Sequence, residues 1–306
     1  MKKIYIGNKK EQMEVSPIAL GCMRIGSLGK EGVRELVDTA LDLQINFFDH
    51  ADIYGKGEAE RIFGEAVKGI PRERMVIQSK CGIRPGICYD FSKDHILHSV
   101  EESLKRLQTD YLDVLLLHRP DTLMEPEEVA EAFELLEKQG KVRYFGVSNQ
   151  NAMQMELLNH YCDSRIQVNQ LQLSIAHCDI IDSGLNVNVH NDAGTNRDGS
   201  VLEYCRWKGI TIQAWSTVQY GMFEGVFLGN EKFPELNQLI NELAEKYGVT
   251  NNAIAIAWIL RHPAGIQAIT GTTNLRRLAE ISRAVQVELT REEWYALYMA
   301  AGKKLP

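Results

Sequence analysis

The 306 residues are 44% hydrophobic and 25% charged, with 34 Lys and Arg against 41 Asp and Glu and a net charge of -7. This is a globular composition with chain enough for a large core, and the absence of a dense basic cluster argues against a nucleic-acid partner. No apolar run follows the opening Met-Lys-Lys or is long enough elsewhere to span a bilayer, so a cytoplasmic location without membrane insertion is expected.

In chain order, the first elements read as a hairpin, Lys3 to Ile6 and Gln12 to Val15, turning through Gly7-Asn8 and covering one end of the fold. From Ile18 a repeating rhythm begins: short apolar strand, loop, amphipathic helix, turn. The strands are expected at Ile18 to Gly21, Asn46 to Phe48, Met75 to Ser79, Val114 to Leu117, Tyr144 to Val147, Gln167 to Leu171, Thr211 to Ala214 and Gln267 to Ile269. Helical patterns lie between them at Gly32 to Leu43, Glu58 to Val67, Asp94 to Leu107, Pro126 to Gln139, Gln150 to Leu158, Val201 to Trp207 and Glu235 to Tyr247, with Leu275 to Val285 after the last strand. Val114-Leu115-Leu116-Leu117 is apolar on both faces, as a parallel strand covered by helices must be. Eight such units with no long linker predict one (β/α)8 barrel domain over residues 1–306, with an extra apolar helix at Asn251 to Leu260 and an end helix at Arg291 to Met299. Two long loops, Cys81 to Lys93 and Ser174 to Ser200, read equally well as substrate grips or surface excursions. The six cysteines, Cys22, Cys81, Cys88, Cys162, Cys178 and Cys205, form no C-x-x-C pair and are expected as free thiols, with no metal site.

A barrel brings the C-terminal ends of its strands to one face. Asp49 ends the second strand, Lys80 follows the third, His118 follows the fourth, and Tyr54 sits on the loop after Asp49. Each has an ordinary reading alone: turn residues, a surface lysine, a satisfied histidine. Together they suit a carbonyl becoming an alcohol. Lys80 would draw down the pKa of the Tyr54 phenol, Asp49 would hold Lys80, and neutral His118 would aim the substrate oxygen. No side chain supplies a hydride, so a cofactor must.

These stretches resemble the aldo-keto reductase family, in particular a bacterial NADP-dependent subgroup. The resemblance rests on Phe48-Asp49-His50-Ala51-Asp52-Ile53-Tyr54-Gly55, Ser79-Lys80, Leu116-Leu117-His118-Arg119-Pro120, Gly140 through Asn149, and Thr270-Gly271-Thr272-Thr273-Asn274. It implies a TIM barrel, catalysis by Asp49, Tyr54, Lys80 and His118, and NADPH as hydride donor, with NADH possible. It also implies that Ser148, Asn149 and Gln170 bind the nicotinamide carboxamide and that Trp215 stacks on the ring; without it, Trp215 reads as core packing. Ser216, Thr217 and Val218 would approach the pyrophosphate, and Gly271, Thr272 and Thr273 open a helix suited to phosphate or to a plain N-cap. Arg277, with Arg276 as the adjacent alternative, would take the 2'-phosphate.

The chain departs from the broader family at His50 for Thr, Gly271 for Lys and Ile281 for Asn, and loss of the Lys and Asn contacts weakens the expectation of strict NADPH preference and tight binding. Met23, Arg24, Tyr89, Arg119 and His177 are candidate walls for a small carbonyl substrate; Arg24 and Arg119 would admit a substrate with a carboxylate, or else bind structural carboxylates such as Asp52 or Asp121. A cofactor-sensing binding module of the same fold is the alternative function. A metal-dependent barrel hydrolase lacks its His-x-His, since Cys22-Met23-Arg24 stands there. The sequence leaves oligomeric state open.

Overall fold

The computed structural model describes residues 3–7, 12–163, 165–222 and 224–305; Asn8, half of the expected hairpin turn, lies outside them. Strands β1 (Ile4–Ile6) and β2 (Met13–Val15) pair antiparallel, Ile4 opposite Val15. Then come β3 (Ile18–Gly21), β4 (Phe47–Asp49), β5 (Val76–Cys81), β6 (Ile83–Arg84), β7 (Cys88–Tyr89), β8 (Leu112–Leu117), β9 (Val142–Ser148), β10 (Ile166–Gln172), β11 (Thr211–Trp215) and β12 (Gln267–Thr270). All but the two small hairpins close into a parallel barrel in the order β3-β4-β5-β8-β9-β10-β11-β12, with β12 returning to β3. The expected TIM barrel is therefore present. Ile6 and Val15 of the hairpin are buried against Ala19, Phe47, Val76 and Val114, residues at or near the starts of barrel strands. The hairpin plugs the N-terminal end, and the site is left to the other.

Helices α1 (Gly29–Asp42), α2 (Glu58–Ala66), α3 (Lys93–Leu107), α4 (Pro126–Lys138), α5 (Ala152–Tyr161), α6 (Asp179–Leu185), α7 (Val201–Lys208), α8 (Pro234–Tyr247), α9 (Asn251–Leu260), α10 (Leu275–Ser282) and α11 (Arg291–Ala300) complete the order. Their apolar stripes join the outward strand faces in one large cluster. Helix α9 is buried from Ala253 to Ile259 because it is apolar on all sides. None of the described helices is long and apolar enough to cross a membrane.

Element ends differ from expectation by up to about three residues, some of them for a visible local reason. Helix α5 begins at Ala152, not Gln150, because Asn151 closes a capping box with Gln154. Helix α10 ends at Ser282 and tightens into a 3-10 turn over Arg283–Gln286. The two long loops carry structure of their own: β6 and β7 in the first, α6 in the second, where the buried Asp182 carboxylate pairs with Lys303 near the C-terminus.

Candidate active site

Strand β4 delivers Asp49, and the loop beyond it turns sharply at Gly55 (φ 58°), Lys56 (φ 58°) and Gly57 (φ 89°). At Gly57 a Cβ would stand 2.8 Å from the Arg106 side chain, so this left-handed position needs glycine on two counts. The turn swings Tyr54 back over the barrel mouth. Lys80 Nζ lies 2.7 Å from Asp49 Oδ1 and donates to the Tyr54 hydroxyl at 3.1 Å and the His50 carbonyl at 2.7 Å. His118 enters from the end of β8, its ring edge-on to Tyr54 with centroids 6.0 Å apart. The four groups from three strand ends and one loop do meet.

Their ionisation follows from burial and neighbours. Burial works against the Lys80 ammonium, but Asp49 and Tyr54 outweigh it and leave its pKa above that of a free lysine. For Tyr54 the balance differs from the sequence expectation: burial pushes the phenol above its ordinary value, and the pull of Lys80 only partly offsets it. The resting site therefore holds a protonated phenol beside an ammonium. Burial, then Lys80 and Arg119, lower His118 to about 2, so its ring is neutral.

Beneath these groups runs a buried amide chain that sequence reasoning missed. Gln78 donates to Asp49 Oδ1 at 2.6 Å and to Gln213 Oε1 at 2.9 Å; Gln170 donates to the same two acceptors at 3.1 Å each. Gln213 donates to Gln267 at 2.8 Å, and Gln267 to the Ser16 carbonyl at 2.7 Å. Strand register aligns the partners, with Asp49 opposite Gln78, Gln170 opposite Gln213, and Gln213 opposite Gln267. Its sequence signal is a buried glutamine in each of β5, β10, β11 and β12, at Gln78, Gln170, Gln213 and Gln267.

Two more missed groups lie behind Lys80. Ser79 donates to Glu60 at 2.5 Å, and Arg106 pairs with the other Glu60 oxygen at 2.7 Å, which ties β5 to α2 and α3. Fully buried His50 packs its ring edge on Phe63, centroids 4.4 Å apart, with neither ring nitrogen hydrogen-bonded among the described residues.

One cleft of about 880 Å³ runs from Asp49, Tyr54 and His118 to α10. Ser148 Oγ donates to the Gln170 carbonyl at 3.0 Å, and the Asn149 amide donates to Ser148 Oγ at 2.8 Å. Trp215 Nε1 donates to Asn149 Oδ1 at 3.3 Å, setting the indole in the wall. Asn149 (φ 57°) and Ser216 (φ 54°) both hold left-handed backbone there. Thr217, Val218, Gly271, Thr272 and Thr273 continue the wall to Asn274, which caps α10 by accepting from Arg277 N at 2.9 Å. Arg277 lines the cleft with its guanidinium unpaired among the described residues, whereas Arg276 bonds Glu280 at 3.0 Å. Met23, Arg24 and Arg119 also line it. Tyr89, exposed on β7, and His177, half-buried before α6, are not among the described residues that do. The described residues contain no group of His, Cys, Asp or Glu able to hold a metal.

The model of the aldo/keto reductase family matches residues 17–300. A 6-dehydroglucose reductase of Novosphingobium aromaticivorans is 35% identical over 303 residues, covering 95% of this chain and 94% of its own. Among solved structures, the thermostable aldo-keto reductase Tm1743, in complex with the inhibitor epalrestat, superposes with a TM-score of 0.80 at 29% identity, over 98% of this chain and all of the other. An aldo-keto reductase from Klebsiella pneumoniae in complex with NADPH gives 0.77 at 27%, over 97% and 94%.

Proposed function

The chain belongs to the aldo-keto reductase family, and from that premise we propose that it is an NADPH-dependent reductase of aldehyde or ketone carbonyls, with NADH a possible second donor. The observation that carries the reading is the single ammonium of Lys80 between Asp49 at 2.7 Å and the Tyr54 hydroxyl at 3.1 Å, with a neutral His118 beside them.

The cleft suits the dinucleotide. It offers an indole face at Trp215, amide groups at Asn149 and Gln170, a side-chain-free Gly271 and an unpaired guanidinium at Arg277. These residues would hold the cofactor, which when bound supplies the hydride. The protein's own part is proton delivery. His118 donates a hydrogen bond that orients the carbonyl oxygen, and Tyr54 gives that oxygen its proton as alkoxide character develops. Lys80 stabilises the phenolate left behind. Asp49 keeps Lys80 charged in a buried site, and Gln78 and Gln170 keep Asp49 in place.

The test is NADPH oxidation with a panel of carbonyls, wild type beside Tyr54→Phe, each with its cofactor Kd. The relative named for 6-dehydroglucose makes that compound the first to try. Loss of at least about a hundredfold in kcat with Kd unchanged is expected from removing a general acid. Equal turnover by the two proteins would assign the proton to another group.

A further inference from the structure

Strands β3 and β12 are neighbours at the seam of the barrel, Leu20 opposite Thr270, and the loops leaving them face each other. Arg24, three residues past β3, reaches across that seam. Its Nη2 lies 3.3 Å, and its Nε 4.0 Å, from the point where a Cβ on residue 271 would stand. The glycine makes the room, and the guanidinium takes it. Yet the guanidinium has no hydrogen bond or ion pair among the described residues. Arg277, farther along the same wall, is likewise unpaired. The one carboxylate among the described residues lining the cleft is Asp49, and it is committed to Lys80. Two guanidiniums without a carboxylate partner among the described residues line this cleft, and each presents a fork of N-H donors suited to an anion.

We propose that Arg24 binds phosphate oxygens of the dinucleotide, working across Gly271 with Arg277. This rests on the cofactor reading above and moves Arg24 from the substrate wall to the cofactor. The oxygens are those of the pyrophosphate or of the adenosine 2'-phosphate, and binding measurements separate the two.

Kd for NADPH and for NADH would be measured by quenching of tryptophan fluorescence in wild type, Arg24→Ala and the double variant Arg24→Ala/Gly271→Lys. A charge-assisted pair of this kind predicts a rise of about tenfold or more in Kd for Arg24→Ala. Equal losses for the two cofactors place Arg24 on the pyrophosphate; a loss for NADPH alone places it on the 2'-phosphate. The double variant should regain most of the affinity, because a lysine at 271 projects into the space Arg24 vacates. Wild-type binding with Arg24→Ala unchanged for both cofactors overturns this inference and leaves the reductase reading standing. No binding by wild type overturns both. Weakened binding that Gly271→Lys does not restore, with a lowered thermal midpoint in the cofactor-free variant, is a folding defect and overturns the inference as well.

Discussion

Replacing His50 by Leu should stabilise the cofactor-free protein, and by more in acid. The side chain is wholly buried against Phe63, and neither ring nitrogen has a partner among the described residues. A buried polar group left unsatisfied costs about 1–3 kcal/mol, so a leucine of similar size should recover an amount of that order at pH 7.5. Burial, with Lys80 nearby, lowers His50 from 6.5 to about 3. Between those values the unfolded chain takes up a proton that the folded chain refuses, so stability falls as pH drops below 6.5. At about 1.4 kcal/mol per pH unit, wild type loses about 2 kcal/mol by pH 5 through this residue, and His50→Leu does not. The hydrogen bond from Lys80 to the His50 carbonyl is backbone and survives the change. Urea unfolding of both proteins at pH 7.5 and pH 5 reads the difference directly. The gap should widen by about 2 kcal/mol in acid. A gap that stays constant would mean His50 titrates alike in both states, and the argument from burial would fall.

Gln78→Leu removes one donor from Asp49 and one from Gln213, and should cost about 1–3 kcal/mol in urea unfolding, with the barrel retained by circular dichroism. Arg106→Met leaves the buried Glu60 side chain with Ser79 as its remaining partner among the described residues, so a loss of about 3 kcal/mol is expected in urea unfolding; a change below about 1 kcal/mol would show that the Arg106–Glu60 pair does not hold the fold together.

How far the sequence reached is clear from particular residues. Strands and helices were legible where pattern decides them: the two-faced apolar run of β8, the caps and stripes of the helices, and the fully apolar α9, found with both ends as expected. Once eight such units imply a barrel, Asp49, Lys80 and His118 must share a rim, because parallel strands end together. The α10 end of the cleft was half legible. Both Arg276 and Arg277 fit the motif, and helix rotation sent one to Glu280 and the other to the cleft.

What the sequence by itself determined is whatever depends on near neighbours and on periodicity: element type, strand order and the rim residues at strand ends. Only the tertiary structure decided what depends on distance through space. Gln78 and Gln213 are 135 residues apart and bond because closure of the barrel sets their strands facing inward at one level. Arg24 meets Gly271 because the first and last barrel strands are neighbours. The Tyr54 phenol rises where an adjacent ammonium alone would lower it, because burial is a property of the whole packed site, and no local stretch of sequence encodes it.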